Sequence, residues 1–417
     1  MDALMLARVQ FALTAGSHFL FVALTLGLAT LVALMQTRAT VSGSAVHARM
    51  TRFWGQLYVI NYAVGIVTGL VMEFQFGLNW SGMSRMVGGV FGAPLAMETI
   101  VAFFIESTFL GLWIFGWDRL NRWVHLGLIW VVTLTAYLSA YFVLVANGWL
   151  QRPVGYEMVD GVARLTDAGA LLTNPTAILA FLHVLFGGLL TAAFFMAGVS
   201  GYHLLRRTAE VEFFRRSMRI GLLTLVLSVF PVVAFGGAQF EYAQPTKTGG
   251  DDLAAAVADF TARFGPDDYE APKLAEAGQV VMVSVWSVML LLGLVALVKF
   301  PFGRWLERGR VFHVVMMVAV PLPYVAMIAG WVFREVGRQP WMVYGVLKTR
   351  DAISDVGSGT VVASFVAFTG LFAVLIGVNA WLLARFARRG PEGAGLGAAP
   401  PAPPAPEASA PSLTPTF

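Results

Sequence analysis

Residues 91–120 read FGAPLAMETIVAFFIESTFLGLWIFGWDRL, an apolar helix with two carboxylates, Glu98 and Glu106, well inside it. A charge at mid-bilayer costs about 2.5–3.5 kcal/mol on insertion scales, so an acid persists there where it faces a partner, a cavity or a cofactor. The remainder of the chain says that the setting is a membrane. Of 417 residues, 58% are hydrophobic and 12% charged, and the mean hydropathy is +0.72, far from the soluble mixture. The chain has no cysteine, which excludes disulfides, thiolate metal sites and iron–sulfur clusters. Any redox cofactor must be held by His, Met or carboxylate.

About 20 apolar residues are needed to cross a bilayer. Nine candidate spans follow, at 8–36, 54–77, 94–117, 124–148, 176–206, 217–238, 278–299, 311–333 and 359–387. The fold class is therefore an all-α integral membrane bundle of about nine helices. MDALMLARVQ leads straight into the first span without a small-residue cleavage pattern, so it reads as a retained helix. Cytoplasmic segments collect Lys and Arg. With the N-terminus outside, 17 of the 28 basic residues fall on the inner side, among them Arg38, Arg49, Arg52, Arg206, Arg207, Arg304, Arg308, Arg388 and Arg389. The C-terminus is then cytoplasmic, and the protein is expected in the bacterial inner membrane. The loop 239–277, with eight acids against Lys247, Arg263 and Lys273, falls outside. The domain expected is one transmembrane unit over 1–389, followed by a Pro/Ala-rich tail, 390–417, expected to be disordered.

Six histidines sort by depth. His47, His203 and His313 lie in or beside the Arg-rich segments and read as surface or headgroup contacts. His125, beside Asp118 and Arg119, is a candidate for proton uptake or for an interfacial role. His18 and His183 sit well inside apolar spans, where a neutral imidazole either donates to a carbonyl or ligates a metal. Spacing favours ligation: counted along parallel helices at 1.5 Å per residue, His183 and Met289 both fall in the outer half, and His with Met is an established axial pair for haem. By itself Met289 reads as core filler, since the chain has 17 methionines.

The segments RVQFALTAGSHFLFVALTLGLA, TRFWGQLYVINYAVGIVTGLVMEFQFGLNW, LVANGWLQRPVG and GRQPW, together with the stretch at 91–120, resemble subunit I of the cytochrome bd-type quinol oxidases. The resemblance covers most of the first four helices nearly without gaps and is looser towards the end. It implies a nine-helix subunit with three haems, one low-spin haem b and two high-spin haems of b and d or b type, which oxidises quinol, reduces dioxygen to water and works beside a second membrane subunit. It further implies that His18 is an axial ligand of the high-spin pair, that His183 and Met289 ligate the low-spin haem, and that Arg8 pairs with a haem propionate. Glu98 and Glu106 become the catalytic acids, Glu106 with His125 and Ser139 the proton path, and Lys247 with Asp252 the quinol site. No nucleic-acid partner is expected.

Departures accompany the match. Ile328 stands where the family has a glutamate ligand, Ser287 where it has an arginine, and QPTK is followed by TGGDDLAAAVADF in a short loop. The alternatives are a divergent haem-binding paralogue with another electron donor, or a non-enzymatic transporter or assembly subunit. Transporters often show internal repeats, and none is evident here.

Overall fold

The computed structural model describes residues 2–249, 252–299 and 309–397. Among these described residues, nine helices are long and apolar enough to cross a bilayer. They are α1 (Ala3–Ser42), α2 (Ala45–Leu78), α3 (Ser81–Phe115), α4 (Arg122–Gln151), α5 (Pro175–Arg206), α6 (Val211–Ala238), α7 (Lys273–Lys299), α8 (Arg310–Val336) and α9 (Ser358–Arg389). All nine expected spans are present, and several run further than the apolar windows. α3 starts at Ser81 rather than 94, because its first turns are only moderately apolar and lie against neighbouring protein.

Helix starts are written locally. Asp2, Ser44, Asn121 and Asn174 each accept a backbone N–H from the first turn of the helix that follows, satisfying donors that would otherwise be orphaned. Two spans are irregular. α8 is interrupted at Ala319–Pro321, where the PLP run cannot complete the backbone ladder. α3 contains a π-helical segment at Glu98–Phe103.

α1 is the axis of the bundle, with 67% of its most apolar stretch buried by protein, against 17% for α7 and 11% for α9. It packs on α2, α4, α5 and α9. The contact with α5 is a backbone contact: a Cβ on Gly27 would lie 2.1 Å from the Gly188 carbonyl oxygen, so only glycine permits the crossing.

The two ends of the bundle differ. At one end, called here the hairpin end, gather the β1–β2 hairpin (Tyr156–Val159, Val162–Leu165), the short β3–β4 hairpin (Trp341–Val343, Leu347–Lys348), and the loop between α6 and α7 with its own helix, Leu253–Phe264. At the other end, called here the arginine end, lie Arg49, Arg52, Arg215 and Arg216, in ion pairs such as Arg49–Glu210 and Arg216–Glu212. The chain stays packed beyond Arg389. Leu396 is buried against Gly55, and Gly395 N–H donates to Gln56 at 2.7 Å. Residues 398–417 of the expected tail lie outside the described residues, as do Arg304 and Arg308.

Candidate active site

A cavity of about 1070 Å³ occupies the hairpin-end half of the bundle, lined by parts of α1 to α8. It slightly exceeds the range of about 300–1,000 Å³ usual for a single small-molecule site. Its wall carries His18, His183, Met289, Arg8, Glu98, Glu106, Ser139 and Lys247. Eight of the ten residues expected from sequence to form sites are thus brought together.

Both imidazoles are aimed by a partner on one nitrogen. The Thr68 hydroxyl has backbone carbonyls of its own helix at 2.9 and 3.1 Å to donate to, so its oxygen accepts Nδ1–H of His18 at 2.9 Å. Nδ1–H of His183 donates to the Val232 carbonyl at 2.7 Å. In each ring Nε2 keeps its lone pair, the arrangement produced where a hydrogen bond from the other nitrogen fixes the tautomer of a metal-ligating histidine. Each ring also leans on a glycine of the next helix: a Cβ on Gly69 would sit 3.2 Å from His18, and one on Gly236 2.9 Å from His183. Met289, 2% exposed, closes the same wall. α7 starts at Lys273, above the apolar window, so Met289 is further along its helix than the sequence count gave.

Among the described residues no three His, Cys, Asp or Glu converge to hold a metal ion. A bare ion therefore has no protein ligand set here, whereas an iron carrying its own equatorial nitrogens needs only one or two axial donors. Two imidazoles with free Nε2 and a buried thioether supply such donors.

The acids share the wall. On a regular helix eight residues would leave Glu98 and Glu106 roughly 80° apart; the wider π turn between them rotates by less per residue and brings Glu106 towards the Glu98 face, as π segments at functional sites do. Ser139 donates to Glu98 at 2.6 Å. Thr99 Oγ1 lies 3.2 Å from both Glu98 and Glu73. One hydroxyl hydrogen can serve only one of these carboxylates at a time. Glu73, inside the apolar run VMEFQF of α2, was not singled out from the sequence, although an acid in such a run is itself the signal.

At the rim, the end of α8 and the turn after it contribute a cationic cluster. Arg334 donates to Asn147 at 2.7 Å and Gln239 at 2.9 Å, and Arg338 donates to Glu335 at 2.5 Å. Arg334 Nη2 and Arg338 Nε are buried without a partner, and such donors are costly to leave unpaired. With Lys247 beside them, three cations face the single carboxylate of Glu335. Burial first, and then Arg334, push the Lys247 ammonium down to about 7, against the opposing pull of Glu335. Arg8 is half-buried on the same wall.

Two expected site residues are elsewhere. Asp252 is exposed at the start of helix Leu253–Phe264 and outside the cavity wall, and the acid facing Lys247 is Glu335. His125 is closed off: Nε2–H donates to the Trp113 carbonyl at 2.8 Å, Nδ1 accepts from Gln36 at 2.9 Å, and Trp113 Nε1–H returns to Gln36 at 2.8 Å. Ile328 packs against Gly16, and Ser287 is exposed with its hydroxyl on the Val283 carbonyl.

Fold and site define a class: a multi-pass membrane bundle that gathers two imidazoles, a thioether, buried cations and carboxylates around one cavity. Residues 6–267 and 277–391 match the family described as cytochrome bd terminal oxidase subunit I, and the chain belongs to that family. It is 36% identical to cytochrome bd ubiquinol oxidase subunit 1 of Bacillus subtilis, over 94% of this chain and 95% of that one. It is 33% identical to cytochrome bd-II ubiquinol oxidase subunit 1 of Escherichia coli, over 94% and 97%. The solved bd oxidase of Geobacillus thermodenitrificans superposes with a TM-score of 0.81 at 26% identity, covering 93% of this chain and 99% of that chain. The protein is thus an oxidoreductase subunit of the bacterial plasma membrane, and its family implies haem cofactors and a second subunit.

Proposed function

We propose that this chain is the haem-carrying subunit of a terminal oxidase that oxidises quinol at the hairpin end, expected to face outward, and reduces dioxygen to water with protons drawn from the cytoplasmic side. The observation that carries this reading is the single cavity joining Lys247 at the rim, two imidazoles with free Nε2, and Glu98 and Glu106 within. When bound, haem supplies iron for one-electron transfer and for oxygen reduction.

The chain's residues supply the rest. His18 and His183 would hold iron through Nε2, with Met289 on the same wall as a further donor, and Thr68 and the Val232 carbonyl fix the ring planes. Arg334, Arg338 and Arg8 hold carboxylates of the cofactors, the first two through their unpartnered N–H groups. Lys247 and Glu335 hold the quinol headgroup, whose two hydroxyl protons leave on that side as two electrons enter the protein. Each dioxygen takes four electrons and four protons to give two waters. Glu106, 5% exposed, passes protons towards Glu98, where Ser139 and Thr99 stabilise the carboxylate. Apolar walls exclude bulk water, so proton supply is restricted to these acids.

The test is an optical one. Protein purified with its partner should show haem bands, and His183→Ala should remove the low-spin b-type band while leaving the high-spin bands. Absence of haem from the wild-type complex, or a full low-spin band in the variant, would overturn the reading.

A further inference from the structure

Lys348, on β4, is 4% exposed in its side chain and is spent entirely on one loop. Its ammonium donates to Asp267 at 2.7 Å, to the Tyr269 hydroxyl at 2.8 Å and towards the Phe264 carbonyl at 3.5 Å. All three partners belong to the loop between α6 and α7. Around this bond set lies an aromatic box: Trp341, fully buried, takes Phe260 and Phe264 at ring distances of 4.9 Å each and stacks on Tyr269 at 5.8 Å. The same loop carries Lys247. The loop is closed on itself by Ala271 N–H donating to the Thr246 carbonyl at 2.9 Å, and Thr246 Oγ1 meets the Tyr344 hydroxyl at 3.0 Å.

Surface loops usually lie loosely and tolerate variation. Burying a lysine to hold one is costly unless every donor is used, and such pairs serve best to fix one arrangement among several. Here the arrangement fixed is that of Lys247. Its stem lies on Gly337, its ammonium 4.3 Å from the Phe333 ring centre, at the cavity rim. The receptor for the clasp, Trp341 to Lys348, follows α8 after one turn, so the loop is tied to the end of the helix that carries Arg334 and Glu335 and to Arg338 in that turn.

We propose that Lys348 is a positioning residue for the reducing substrate: by clasping Asp267, Tyr269 and the Phe264 carbonyl it seats the loop so that Lys247 is held ready at the rim. The proposal rests on the assignment of Lys247 to the quinol headgroup. Its effect is on binding of quinol, because none of the ammonium's three partners is a cofactor-holding residue or one of the cavity acids. A coupling of this kind typically amounts to a factor of about 5 or more.

The experiment uses the complete complex in membranes. Lys348→Met and, separately, Asp267→Asn should raise KM for quinol about 5-fold or more, with kcat at saturating quinol and the dithionite-reduced haem spectrum unchanged; Lys348→Arg should restore much of the KM. An independent readout is labelling of Thr246→Cys, a buried position in a chain with no cysteine of its own, by a membrane-impermeant maleimide. Labelling should be slow in the otherwise unaltered protein and faster once Lys348→Met is added. Unchanged labelling overturns the clasp. Faster labelling with an unchanged KM overturns its coupling to quinol, and if Lys247→Ala also leaves KM unchanged, the assignment of Lys247 is what has failed.

Discussion

α5 carries two histidines, and they live in opposite worlds. His183 uses Nδ1 on the Val232 carbonyl and keeps Nε2 for the cavity. His203, towards the arginine end, uses Nε2 on the Ala387 carbonyl and stacks on Phe214 at 3.8 Å with planes 3° apart. Around His203 the bundle is solid, with Phe53, Trp54, Phe213 and Phe214 interlocked edge to face. Around His183 it is hollow. An imidazole becomes a ligand candidate through which nitrogen its neighbours consume and whether the other meets space or packing, not through burial alone.

The largest expected effect tests that contrast directly. His183→Ala should abolish the low-spin b-type band and quinol-driven oxygen uptake, whereas His203→Ala should keep every haem band and lower stability by about 1–3 kcal/mol, measured by thermal inactivation of the complex. Equal loss of haem in both variants would erase the distinction. Next comes Glu106→Gln, which keeps the shape and removes the exchangeable proton. Oxygen uptake should slow by about 10²–10⁴-fold, in line with loss of a positioned acid, with haem content unchanged. Loss of haem would instead make Glu106 structural.

A smaller effect belongs to the hydrogen bond that aims His18. Thr68→Val preserves volume and leaves Nδ1–H without its acceptor, so retention of the high-spin cofactor should weaken by about 10–100-fold, read as haem lost on dilution into detergent. The smallest is a pH effect at the rim. Lys247 is held near pKa about 7 by burial and by Arg334, so it is neutral above that pH and charged below. A neutral amine accepts a quinol hydroxyl hydrogen, so KM should rise a few-fold as pH falls through about 7, and Lys247→Met should flatten the profile. The same depressed value works against stability: charging the amine costs most at and below pH 7, and that cost is relieved as pH rises towards its ordinary 10.5.

Much of this was legible in the sequence, for reasons that differ by residue. The nine spans are long one-dimensional apolar runs, so a window finds them. Their ends escape it, because residues such as Ser81–Arg85 are polar enough to read as loop yet continue the helix against protein. His18 and His183 could be placed by depth. The partners that free their Nε2, Thr68 and the Val232 carbonyl, come from other helices and leave no local mark. Counting along the chain from Lys247 picked Asp252, but the chain turns and starts a new helix there, and Glu335 arrives from α8. His125 looked available for protons because Gln36 and Trp113, which occupy both its nitrogens, are distant in sequence. The Arg334–Arg338 cluster needed Asn147 and Gln239 in place before its two spare donors could be seen.

α1 carries His18 and α5 carries His183, and the two helices touch backbone to backbone at Gly27 and Gly188. If each histidine holds a haem, the gap between those haems is set by a main-chain stop and not by compressible side chains. Electron tunnelling weakens exponentially with distance, so this pair of glycines would act as a gauge block for the internal current, and a methyl group at Gly27, 2.1 Å from the Gly188 carbonyl oxygen, would have to force the two helices apart.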